Sequence, residues 1–94
     1  MDVLDKIGQN RESLVEQFGV ERIGVFGSVS RGETTEESDV DVLVEFKAEE
    51  STFDNYMGLK FYLEELLESD VDLVTAGSIK PRIKEKILEQ VKYV

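Results

Sequence analysis

The 94-residue sequence contains no cysteine and no histidine. Lack of cysteine excludes disulfides and thiolate zinc sites. Lack of histidine removes the commonest general base, the usual zinc ligand and any phosphohistidine chemistry. No apolar run approaches the ~20 residues that span a bilayer. The opening MDVLDKIGQN has no secretory h-region, so the chain is expected to be cytoplasmic and to touch no membrane. Basic residues are also scarce, 11 against 21 acids, for a formal charge of −10. That balance disfavours nonspecific nucleic-acid binding. It suits a basic protein partner, a cation at an acidic site, or solubility alone. Chemistry must rest on carboxylates, hydroxyls, lysine, arginine or a bound metal. A chain of this length buries roughly two thirds of its unfolded surface, which predicts one domain over residues 1–94 with one core.

Alternating patterns organise what is present. Val3, Leu4, Ile7, Leu14, Val15 and Phe18 fall on one helical stripe, broken by Arg11 where an apolar residue would fit, with Asp2 suited to its start and Gly19 to its end. Gly8 weakens the middle of that helix. Residues 21–26 read as a strand, Ser28 to Arg31 as one short helical turn, and Thr34 to Glu37 as a loop. A second strand is expected from Val40 to Phe46, with Val40, Val42 and Val44 on one face and Asp41, Leu43 and Glu45 on the other. Asp54 or Ser51 is placed to cap a helix through Leu59, Tyr62 or Leu63, Leu66 and Leu67. Val71 to Val74 reads as a third strand, Thr75 to Ser78 as a turn, and Pro81 opens a last helix bearing Ile83, Ile87 and Val91. The order α-β-α-β-α-β-α predicts an α+β fold (α/β alternation) around a small three-stranded sheet, with pairing direction open.

The residues that carry chemistry lie between Ile23 and Phe46. Asp39 and Asp41 are two apart at the mouth of an apolar strand, so they project together. Two carboxylates so close repel, and with no histidine and no nearby lysine a divalent ion is the natural compensator. Mg²⁺ prefers oxygen ligands and keeps water or substrate phosphate in its shell. Asp72, between Val71 and Leu73, repeats the arrangement and joins the other two if its strand neighbours theirs. Upstream, Gly27-Ser28 follows a strand and precedes a helical turn. Such a helix start binds phosphate through main-chain N–H groups, and Arg31 places a cation beside it. Each feature alone has a plain reading: Gly27-Ser28 as an ordinary turn, Asp39 as a solvated strand end. The combination is what carries weight.

Gly27-Ser28, Arg31-Gly32 and Ser38-Asp39-Val40-Asp41 followed by Val42 resemble the signature of the DNA polymerase β-like nucleotidyltransferase superfamily. More closely, the chain resembles the minimal nucleotidyltransferases (MNT) of MNT–HEPN toxin–antitoxin pairs. Their pattern is Gly-Ser-x-[Ala/Ser]-Arg-Gly-x5-Ser-Asp-x-Asp-[Leu/Val], and every fixed position is matched. The likeness covers essentially the whole chain, including Asp72 and the Lys80-Pro81-Arg82 start of the last helix.

The resemblance implies a minimal nucleotidyltransferase core with a mixed sheet. Asp39, Asp41 and Asp72 would bind one or two Mg²⁺ ions, and Asp72 would help activate the acceptor. Gly27, Ser28 and Arg31 would face the nucleotide's phosphates. The reaction it implies is transfer of AMP from ATP to a hydroxyl, a tyrosine of a HEPN ribonuclease toxin, in a hetero-oligomer of antitoxin and toxin. Two alternatives stand beside it: a non-catalytic antitoxin that neutralises by binding, and transfer to a small-molecule hydroxyl.

Overall fold

The computed structural model describes residues 3–27 and 39–94. Within them the order is α1 (Val3–Gln9), α2 (Arg11–Phe18), β1 (Val20–Phe26), β2 (Val40–Phe46), α3 (Phe53–Leu67), β3 (Val71–Thr75), a 3-10 turn (Ala76–Ser78), α4 (Pro81–Gln90) and β4 (Lys92–Tyr93). This is the expected α+β alternation with two differences. The expected helical turn at Ser28 to Arg31, the loop that follows it and the Asp2 cap lie outside the described residues.

The first difference is that the N-terminal stripe forms two helices. The break falls at Asn10, whose φ and ψ of −105° and 8° leave the helical range. Its side-chain amide donates to the Lys6 carbonyl at 2.9 Å, an alternative to continuing the helical ladder. Its Oδ1 accepts from the Tyr62 hydroxyl at 3.0 Å, so the break also ties α1 and α2 to α3. Gly19 ends α2 in the left-handed conformation, as its position predicts.

The second difference is a fourth strand. The sheet runs β3-β2-β1-β4, with β1–β2 and β1–β4 antiparallel and β2–β3 parallel. A two-residue strand carries too little periodicity to be seen in a sequence. It forms because Gly24 has no side chain: a Cβ there would lie 2.7 Å from the Lys92 carbonyl oxygen. Arg22 then stacks over the Tyr93 ring at 4.0 Å.

The parallel β2–β3 pair needs a crossover, and α3 supplies it. Thr52, rather than the expected Ser51 or Asp54, caps α3, accepting from the Asn55 N–H at 3.1 Å. Either neighbour has the right chemistry, but Thr52 has the extended backbone just ahead of the first turn. Leu59, Leu63 and Leu67 of α3 join Ile7 and Leu14 over one face of the sheet. That face presents Ile23, Val25, Val40, Val42, Val44, Val71 and Leu73, all buried. Each such side chain contributes about 1.5–3 kcal/mol by leaving water. The opposite face of the same strands carries the candidate site.

Candidate active site

Strand alternation sends Asp41 and Leu43 of β2 away from the helices α1–α3. The register then decides what stands next to them. Asp41 pairs with Asp72 of β3 on one side and with Phe26 of β1 on the other. Cross-strand partners share a face, so the two carboxylates project side by side. The expectation that Asp72 joins Asp41 depends on β3 neighbouring β2, and it does. Asp72 is exposed and Asp41 half-buried.

Asp39 sits one residue before β2 and is exposed. Among the described residues no group of three or more acidic side chains gathers closely enough to hold an ion unaided. The donor set is thus an in-register carboxylate pair with a third acid at the strand mouth. It suits an ion that completes its shell with substrate oxygens rather than one enclosed by protein.

Gly27 closes the site on the β1 side, just past the strand end, with φ of 72°. A Cβ on Gly27 would lie 2.3 Å from Asp41 Oδ2. The glycine therefore does two things. Its left-handed backbone turns the chain out of β1 at little cost, and its bare α-carbon leaves the space that the Asp41 carboxylate occupies. In the sequence Gly27 reads as an ordinary turn or as part of a phosphate-binding helix start; its packing against Asp41 is visible only in three dimensions. Ser28 and Arg31 lie outside the described residues.

Beyond Asp72 the sheet face opens into a groove of about 440 Å³. Phe26, Val74, Ile79, Ile83 and Ile87 give it apolar walls, and Lys80 and Arg82 stand at its rim. The repeat of Ile83 and Ile87, which has the spacing of a core stripe, lines this groove. No residue of α4 is buried, and Ile83 is 44% exposed. A second hollow of about 400 Å³ runs from Glu21 past Glu45 to Ser78; neither Asp41, Asp72 nor Gly27 lines it.

Comparison with known proteins places this arrangement. A family model for the nucleotidyltransferase domain matches residues 7–94. The protein adenylyltransferase MntA of Thermococcus cleftensis is 47% identical over 85 residues, covering 90% of this chain and 85% of the relative. A solved structure described as a minimal nucleotidyltransferase superposes with a TM-score of 0.79 at 37% identity, covering 98% of this chain and 95% of that one. A toxin–antitoxin complex with AMP-PNP gives a TM-score of 0.73 at 28% identity, over 90% of this chain and 69% of that one. A complex of an MNT antitoxin with a tri-AMPylated HEPN toxin from Shewanella oneidensis gives 0.67 at 25% identity, over 99% and 71%. Among the described residues no helix is long and apolar enough to cross a membrane.

Proposed function

This chain is a nucleotidyltransferase and belongs to the nucleotidyltransferase domain family, and from that premise we propose that it is a Mg²⁺-dependent protein adenylyltransferase. Its donor is ATP, its acceptor a tyrosine hydroxyl of a HEPN ribonuclease partner, and its role that of an antitoxin. The observation that carries this reading is the in-register Asp41–Asp72 pair with Gly27 packed against Asp41. The similarity to an adenylyltransferase named MntA, and to toxin–antitoxin complexes containing AMP-PNP or an AMPylated toxin, supports donor and partner.

Asp41 and Asp72, with Asp39 at the strand mouth, are the residues that would hold Mg²⁺. Bound there, the ion supplies Lewis acidity at the phosphate oxygens. Gly27, Ser28 and Arg31 are the residues proposed to bind the triphosphate, the glycine by allowing close approach to the main chain. The acceptor oxygen attacks the α-phosphorus, its proton passes to Asp72, and the bond to the bridging oxygen breaks. AMP is left on the acceptor and pyrophosphate departs. Asp72, exposed on the groove side of Asp41, stands where an incoming hydroxyl can reach it.

The test is incubation of the protein with α-labelled ATP, Mg²⁺ and a candidate HEPN ribonuclease partner. The partner should take up label, and Asp41→Asn should lower the rate by about 10²–10³-fold, the scale seen when one electrostatic contact to a transition state is lost. An unlabelled partner, still neutralised by an Asp39→Ala/Asp41→Ala variant, would mean that binding alone silences it.

A further inference from the structure

β3 is an edge strand, yet it carries one of the proposed catalytic carboxylates. An edge strand leaves alternate main-chain groups without a ladder partner, and such strands open readily. The parity in β3 is fixed by the Val40 N–H, which donates to the Asp70 carbonyl at 3.0 Å. Residues 70, 72 and 74 thus direct their main-chain groups towards β2, and Val71 and Leu73 direct theirs to the open edge.

Both of these outward residues are met by side chains from α3. Glu64 Oε2 accepts the Val71 N–H at 3.2 Å. The Tyr56 hydroxyl donates to the Leu73 carbonyl at 2.5 Å. The two bonds bracket Asp72, one residue to each side. Lys60 lies between them on the helix and holds the same Glu64 oxygen at 3.7 Å. Tyr56, Lys60 and Glu64 are spaced i, i+4, i+8, so they form one row along α3. The row replaces the missing neighbouring strand.

We propose that Tyr56 and Glu64 are positioning residues for Asp72, clamping the edge of β3 so that its carboxylate stays in register with Asp41. This rests on the proposed function, in which Asp72 receives the acceptor's proton. Neither residue touches substrate; both act through the backbone of β3. Because Asp72 receives the acceptor's proton, their loss should slow transfer.

Tyr56→Phe is the decisive variant, since it keeps the ring that packs against the core and removes only the hydroxyl. It should lower kcat for AMP transfer about three- to tenfold, the scale of one hydrogen bond. Placed on Asp72→Asn, it should add no further loss to the residual rate. Glu64→Gln, which keeps an acceptor oxygen, should behave as wild type, while Glu64→Ala should behave as Tyr56→Phe. Amide hydrogen exchange across β3 should quicken in Tyr56→Phe and Glu64→Ala and stay unchanged in β1 and β2. Unchanged kcat, or an equal loss with and without Asp72, would overturn the proposal. If the wild-type protein transfers no AMP to any partner, the proposed function has failed instead. Exchange then decides alone: faster exchange confined to β3 supports the clamp, and unchanged exchange overturns it.

Discussion

The two faces of the sheet are built from alternate residues of the same strands and meet opposite demands. On one face Val40, Val42, Val44, Val71 and Leu73 are buried beneath the helices. On the other, Asp41 and Asp72 stand side by side next to a groove, and α4 lies over that side without burying any residue of its own. Most of the apolar burial lies on the covered face, with Leu43 fully buried on the other. The proposed chemistry lies on the open face, where carboxylates keep access to water and substrate. One step along β2, from Asp41 to Val42, crosses between the two. In this small fold β2 and β3 serve as scaffold on one face and carry the candidate site on the other.

Substitutions on one face should therefore leave the other's property intact. The largest effect is expected from Leu63→Ala, which hollows the covered face where Leu63 is fully buried. It should cost about 2–5 kcal/mol in denaturant unfolding, a large part of a small domain's stability. AMP transfer per folded molecule should remain, and its loss would show that the faces are not separable. Gly27→Ala does the reverse. The added Cβ displaces the Asp41 carboxylate, and a misplacement near 1 Å can cost about 10²-fold in rate. Transfer assays should show that loss, while the core residues of the covered face keep the molecule folded by circular dichroism. Thr52→Ala removes the α3 cap and should cost about 1 kcal/mol by thermal melting, with transfer kinetics unaltered at 25 °C. Gly8→Ala should act least and with the opposite sign. Nothing lies within 4 Å of a Cβ there, so the helix gains about 0.5–1 kcal/mol in the same melt.

Much of this division is legible in the order of residues alone. The alternation in Val40 to Phe46 separates the two faces of β2 by itself, because side chains in a strand point alternately. The Asp39/Asp41 spacing marks one end of that strand as chemical for the same reason. What periodicity cannot supply is anything set by a distant partner. The apolar stripe falters at Arg11, but that the helix itself stops at Asn10 is set by distant and local partners, its amide finding the Lys6 carbonyl and its Oδ1 finding Tyr62. Ile83 and Ile87 have the spacing of a core helix, yet they line a groove, since the core is already filled by α1–α3. Tyr56 and Glu64 are visible as residues of one helix, but their task depends on β3 having an open edge.

The sequence by itself determined which residues can be chemical. With neither histidine nor cysteine, carboxylates, hydroxyls, lysine, arginine or a bound metal are left to act, and the joint Gly-Ser, Arg-Gly and Asp-x-Asp spacing resembles the family's signature. The tertiary structure alone decided how those residues meet. Parallel pairing at Asp41–Asp72 rather than one residue away puts both carboxylates on the open face, and a slip of one would turn Asp72 toward the core. Gly27 became a packing partner of Asp41 by the same route. The reason is physical: a side chain's type and its direction along a strand are local properties, whereas register is settled by the core the strands share.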